Sequence, residues 1–156
     1  MTKAMLTGSF DPVTTGHVEL LKRALMQYDE VCVAMLVNPD KKYLFTAGQR
    51  LEMLHAVFDK MNVAVHFSEG LAVDLAKEVG ADVMVRGIRP GDEEYERELA
   101  RLNLEIGGVA TEMIEATEDF ARVSSSTVRD RLARGESLVG LVPDEAIEII
   151  NKIKQQ

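Results

Sequence analysis

Strand and helix signals alternate along this chain and predict an α/β fold, a doubly wound five-stranded parallel sheet with C-terminal helices. The strand candidates are continuous apolar runs, such as residues 31–37, the pattern of strands buried on both faces. Between them lie stretches whose apolar residues recur at helical spacing. With 156 residues and no internal repeat, low-complexity segment or linker, the chain is expected to form one domain over 1–156.

The first strand centres on Ala4-Met5-Leu6 and runs into Gly8-Ser9-Phe10-Asp11-Pro12-Val13-Thr14-Thr15-Gly16-His17. Gly8 can take backbone angles closed to other residues, and Pro12 fixes φ. His17, Leu20, Leu21, Ala24, Leu25 and Tyr28 then mark a first helix, opening at Gly16 and His17. Residues 31–37 form the second strand, and Asn38-Pro39-Asp40-Lys41-Lys42 its loop. Leu51, Leu54, Phe58 and Met61 place a helix over about 46–60, with Thr46 as N-cap. A short strand over 63–67 precedes a helix from Leu71 to Val79 that ends at Gly80. The fourth strand, 82–85, leads into Arg86-Gly87-Ile88-Arg89-Pro90-Gly91. A helix over about 92–106 sets Tyr95, Leu99, Leu102 and Ile106 on one face, and Gly107-Gly108 stops it. The fifth strand, 111–116, is weaker. Ser124-Ser125-Ser126-Thr127 opens a helix to about Ala133, and Pro143, at a first helical position, starts the last one.

Composition narrows the function. A net charge of −8 argues against nucleic acid or an anionic membrane as the main partner. No apolar run approaches the ~20 residues of a membrane span, and the N-terminus leads straight into a strand, so a cytoplasmic protein is expected. Cys32 is the lone cysteine and lies inside a strand run, so it reads as core. His55 and His66 lack partners at metal-ligand spacing, so no protein metal site is expected.

Sheets of this type bind ligands beyond the carboxyl ends of their strands, where strand order reverses. That edge is where this acidic chain collects cations and hydroxyls. Ser9 and His17 follow strand one; Lys41 and Lys42 follow strand two; Arg86 and Arg89 follow strand four; Arg122 and Ser124–Ser126 follow strand five. A helix N-terminus attracts phosphate, and an imidazole there can donate to it. His17 could equally be a plain helix cap. Arg86 and Arg89 suit bidentate phosphate contacts, or else ion pairs with Asp92, Glu93 or Glu94. The serine run can hold phosphates or cap its helix, with Thr127 and Asp130 completing a capping box. Neither a Walker A loop nor G-x-G-x-x-G is present.

The first loop, G-S-F-D-P-x-T-x-G-H, resembles the signature of the T/H-x-G-H nucleotidyltransferases, Thr14 and His17 being the two ends of T-x-G-H. Within that superfamily it is most similar to the phosphopantetheine adenylyltransferases. The resemblance continues through N-P-x-K at Lys41, G-L-x-V-D at 70–74, R-G-x-R with Tyr95-Glu96, and the serine run after Val123. It departs at Ala72, where a bulkier residue is usual, at Leu104 and Arg122, and in an Arg89–Tyr95 spacer one residue short. It implies a Rossmann-like nucleotidyltransferase that transfers the adenylyl group of ATP to 4′-phosphopantetheine, giving dephospho-coenzyme A and pyrophosphate. By resemblance the catalytic residues are His17, Lys41 and Ser9. ATP falls to Ser9, Phe10, His17, Gly87, Ile88, Arg89, Glu96 and Val123–Ser126, with Ser124 and Ser125 inside that run. The acceptor falls to Ser9, Lys41, Ala72 and Arg86. Mg²⁺ accompanying ATP, a homohexamer, and coenzyme A as feedback ligand are implied in the same way. Two rivals stand beside this: a transferase acting on nicotinate mononucleotide or glycerol phosphate, and a nucleotide-binding regulatory module without turnover.

Overall fold

The computed structural model describes residues 1–156 and contains one sheet of five parallel strands, ordered β3-β2-β1-β4-β5. The strands are β1 (Lys3–Gly8), β2 (Glu30–Leu36), β3 (Val65–Ser68), β4 (Val83–Ile88) and β5 (Ala110–Glu115). The helices are α1 (Thr15–Gln27), α2 (Ala47–Phe58), α3 (Ala72–Val79), α4 (Glu93–Gly107), α5 (Ser125–Ala133) and α6 (Asp144–Lys154). A single 3₁₀ turn, Asp59–Met61, extends α2.

Side chains alternate across each strand, so every apolar run serves two cores. Leu6, Val33 and Val85 face one side, where α1, α2, α5 and α6 close over them in a cluster of 25 buried residues. Met5, Cys32, Ala34 and Met84 face the other, in a cluster of 8 completed by α3 and Val109. The chain lays down β1, β2 and β3 in turn, and α3 then carries it back to β4 beside β1. After β1 the chain leaves toward the first face, and after β4 toward the second. The crevice between those departures is the switch point where this architecture takes ligands.

Four features depart from the sequence reading. β4 continues through Arg86 and Gly87 to Ile88, because β5 supplies partners there, Arg86 opposite Met113 and Gly87 opposite Ile114. Arg86 therefore stands on a strand and not in a loop. β3 begins at Val65, in register with Val33. Pro143 is the N-cap of α6, with ψ of 144°, and not its first helical residue. On α4, the face shared by Tyr95, Leu99, Leu102 and Ile106 points largely to solvent: Tyr95 is 67% and Ile106 66% exposed, and Glu96 is the helix's one buried residue.

The C-terminal end of α4 lies hard against α3. A Cβ built on Gly107 would sit 2.4 Å from Val73 Cβ, a contact only glycine permits. Alanine would gain about 1 kcal/mol of helix propensity, but overpacking costs about 1–3 kcal/mol. Gly107→Ala is thus expected to lower the urea midpoint with the slope unchanged. A midpoint at or above that of the parent would show the α3–α4 contact to be slack.

Candidate active site

The loop after β1 is held in a form that few sequences reach. Phe10 takes a left-handed φ of 49°, and its buried ring passes under Gly8, where a Cβ would meet it at 3.2 Å. The same ring meets the His17 imidazole edge-on, centroids 4.7 Å apart. Thr14 caps α1 in a capping box with histidine in the usual Glu or Gln place. The Thr14 hydroxyl accepts from the His17 N–H at 3.3 Å, and His17 Nδ1 accepts from the Thr14 N–H at 2.9 Å.

That second bond fixes the imidazole. With Nδ1 an acceptor, the neutral ring carries its proton on Nε2, leaving a donor on a side chain that lines the cavity. Burial, and then the charges of Arg86 and Arg89, lower its pKa to about 4, so the ring is neutral at physiological pH. The cap uses Nδ1 alone, so capping does not consume the Nε2–H.

Arg86 reaches from β4 with every nitrogen of its fork engaged. Nε and Nη2 donate to the Glu96 carboxylate at 3.1 and 2.9 Å, and Nη1 donates to the Thr7 carbonyl at 2.9 Å. Glu96, buried, belongs to the first turn of α4. Its carboxylate therefore meets Arg86, and neither Asp92, Glu93 nor Glu94 does. Arg89 has only a loose partner, Asp92 at 3.4 Å.

Two further segments close the cavity. The 38–46 loop is pinned by Asp11, whose buried carboxylate accepts from the N–H groups of Leu44 and Phe45 at 2.7 and 3.0 Å. Lys41 stands exposed on the rim, 5.4 Å from the centre of the Tyr43 ring. At the far side Ser124 caps α5 by accepting from the Thr127 N–H at 3.1 Å; its capping partner is Thr127 and not Asp130. Ser125 donates its hydroxyl to the Pro12 carbonyl at 2.8 Å. Arg129, one turn into α5, donates to the Asp11 carbonyl at 2.8 Å and to Ser126 Oγ at 3.0 Å.

The result is a cavity of about 310 Å³ at the β1/β4 crevice. Ser9, Phe10, His17, Lys41, Arg86, Gly87, Arg89, Glu96 and Val123–Ser126 all reach its walls. Ile88 does not; its side chain is buried. Ala72 does not either, since it begins α3 and packs on the smaller core. Lys42 and Arg122 also lie outside the walls. Four cations, Lys41, Arg86, Arg89 and Arg129, line one hollow of a protein with net charge −8. Such a set, together with serine hydroxyls at a helix start, has the chemistry that attracts phosphate groups.

The cytidylyltransferase-like family model matches residues 5–131, from β1 into α5. The phosphopantetheine adenylyltransferase of Symbiobacterium thermophilum is 43% identical over 146 residues, which cover 92% of this chain and 90% of that one. The chain belongs to the phosphopantetheine adenylyltransferase family. The enzymes of that name from Clostridium novyi and Flavobacterium psychrophilum are 40% and 38% identical, over 98% and 96% of this chain and 98% and 99% of theirs.

The signature loop thus sits in the setting that its resemblance to the phosphopantetheine adenylyltransferases implied, between a central strand and the first helix. Sequence reasoning missed Asp11 and Arg129 as structural members of the site. Arg129 carried a faint signal, standing three residues after Ser126 on one helix face. Asp11 lay inside the motif, but its partners are backbone N–H groups 33 and 34 residues away, which no spacing rule finds.

The His17 environment has a pH consequence. Between pH 6.5 and about 4 the unfolded chain binds a proton at His17 that the folded chain does not, so stability falls as acid is added through that window. His17→Gln keeps a capping-box acceptor and removes the titration. The variant is expected to lose less stability than the parent between pH 7 and 4, read from urea midpoints. Equal losses would place the folded-state pKa near 6.5.

Proposed function

We propose that this chain joins ATP to 4′-phosphopantetheine at the β1/β4 cavity, releasing pyrophosphate and forming dephospho-coenzyme A. The activity is that of its family, and the family assignment rests on near-full-length identity to relatives bearing that name. The observation that carries the site assignment is the divided imidazole of His17, with Nδ1 bonded to Thr14 and the Nε2–H left for a ligand.

The acceptor phosphate is already ionised at neutral pH and attacks the α-phosphorus of ATP in line, with no covalent enzyme intermediate. No general base is required, so the protein's work is positioning and charge stabilisation. A neutral imidazole suits this work, since it donates to the α-phosphate without changing its protonation state near pH 7. Its bond strengthens as charge gathers in the transition state. Lys41 adds a mobile cation from the rim, and Ser9 holds the incoming phosphate. Arg86, its direction set by Glu96 and Thr7, presents a fixed positive field to the acceptor. Arg89, Ser125, Ser126 and the start of α5 receive the departing pyrophosphate. Phe10, Gly87 and Val123 shape the nucleotide's seat. Glu96, on the cavity wall, orients the nucleotide, and its carboxylate also holds Arg86.

A divalent ion enters as part of the substrate, on the phosphates of ATP. The chain gathers no group of three His, Cys, Asp or Glu side chains to hold one, and the carboxylates of Asp11 and Glu96 are occupied by other donors. Coenzyme A carries both the nucleotide and the pantetheine arm and competes for the same cavity as a feedback ligand. No helix is long and apolar enough to cross a membrane. A cytoplasmic setting matches the substrates.

His17→Ala is expected to lower kcat roughly 10²–10³-fold, as for loss of one well-placed donor, with ATP affinity changed far less. The assay is pyrophosphate release from ATP with 4′-phosphopantetheine, run beside nicotinate mononucleotide and no acceptor. Near-parental kcat with a reduced melting temperature would leave His17 as a cap alone. Equal release with nicotinate mononucleotide would point to a different acceptor, and no release with any acceptor to a regulatory module.

The homohexamer belongs to the same proposal. Its support is the outward apolar stripe of α4, where Tyr95, Leu102 and Ile106 repeat at helical spacing on the surface. Light scattering after size exclusion is expected to give six times the 17.3 kDa chain mass. Ile106→Glu with Leu102→Glu is expected to lower that mass. A monomeric parent would remove this part of the proposal.

A further inference from the structure

Arg50 is a charged residue on the apolar side of α2, among Met53, Leu54, Val57 and Phe58, and it is only 2% exposed. A buried guanidinium is costly unless its hydrogens and its charge are both met. Two of its three nitrogens find carbonyls: Nε donates to Phe45 at 3.2 Å, and Nη1 donates to Ser9 at 3.0 Å. Its charge finds no carboxylate within 4 Å. It stacks instead on the Tyr43 ring, the guanidinium carbon 3.9 Å from the ring centre. A methionine or leucine would fill this position without the desolvation cost, so core packing alone gives no reason for an arginine.

Its partners do give one. Ser9 belongs to the signature loop, and Phe45 and Tyr43 to the loop that carries Lys41. The Tyr43 ring also receives the Lys41 ammonium at 5.4 Å, and the Tyr43 hydroxyl accepts from the Asn38 N–H at 2.9 Å, closing the loop around Lys41. One rigid fork therefore fixes the distance between two segments far apart in sequence, and its aromatic plate bounds the swing of the lysine.

We propose that Arg50 is a positioning residue for adenylyl transfer, acting through Tyr43 and Ser9 to hold Lys41 and the signature loop at a working separation. The inference rests on the reading of Lys41 as a catalytic cation, and the test keeps the two apart. Lysine at position 50 keeps the charge but cannot span two carbonyls and stack at once.

The experiment is a double-mutant cycle between positions 50 and 41, read as kcat and KM for ATP and 4′-phosphopantetheine by pyrophosphate release, with folded fraction from circular dichroism. Arg50→Met is expected to lower kcat per folded molecule roughly 10- to 100-fold, the cost of misplacing a catalytic group by about 1 Å. KM should change far less. Arg50→Lys should recover part of that loss. In the Lys41→Ala background, Arg50→Met should add about twofold or less, because the group it positions is gone. Losses that multiply in the double variant, or a fall in melting temperature with kcat per folded molecule kept, would overturn the proposal. Should Arg50→Met fail to fold, Tyr43→Leu decides by the same cycle, since it removes the plate and leaves Arg50 in place. If Lys41→Ala alone turns over like the parent, the Lys41 reading has failed and this inference falls with it. A costly Lys41→Ala with multiplying losses refutes the positioning role alone.

Discussion

A buried carboxylate has to be surrounded by donors, and Asp11 meets that requirement by drawing on segments remote in sequence. Its oxygens take the N–H groups of Leu44 and Phe45, its carbonyl takes Arg129, and Arg129 passes the connection on to Ser126. The signature loop, the lysine loop and the serine helix are thereby tied to one residue. The lysine loop has neither helix nor strand between Val37 and Thr46, so its place over the cavity depends on such side-chain anchors. Removing the carboxylate would strand the Leu44 and Phe45 N–H groups and release the lysine loop, while Arg129 would keep its bond to the Asp11 carbonyl. Catalytic geometry and local stability are in this sense one property.

The same economy of partners explains how an acidic protein keeps a cationic cavity. Arg86 is neutralised by Glu96 on its far side, which leaves its charge directed but its side chain immobile. Arg129 is answered more weakly by Asp11, at 4.0 Å. His17 avoids the problem by staying neutral, and the neighbouring arginines help to keep it so. A protonated imidazole beside Arg86 and Arg89 would raise repulsion before any nucleotide arrived. An anionic ligand would relieve this arrangement, and it would meet Arg86 already held in place.

The fold was legible in the sequence because parallel strands buried on both faces must be apolar throughout, and strands of this kind put their chemistry at one edge. That logic gathered Ser9, His17, Lys41, Arg86, Arg89 and the serine run at one edge, and all of them line the cavity there. It could not find the partner of Arg86, since acids two to four residues nearer in sequence competed with Glu96 and only the turn from β4 into α4 decides among them. Arg50 left no trace because its partners are backbone carbonyls, which every residue has. The helical spacing of Tyr95, Leu102 and Ile106 showed that they share a face, but spacing is silent about what a face meets. Ile88 and Ala72 entered through family resemblance and not through their own chemistry, and the cavity walls exclude both.

The two faces of the sheet are unequal, and this has a dynamic meaning. The larger core locks β1 and β2 to four helices, whereas the smaller one relies on short side chains, Ala34 and Cys32 from the sheet and Ala76 from α3. Local opening costs least where little apolar area is covered. The layer formed by α3 and α4 is therefore the softer half of the molecule, and Glu96, the anchor of Arg86, belongs to it. The histidine side of the cavity is bolted to the rigid layer. The cavity thus has one wall, with Glu96, on the layer that opens most easily and another, with His17, on the layer that opens least.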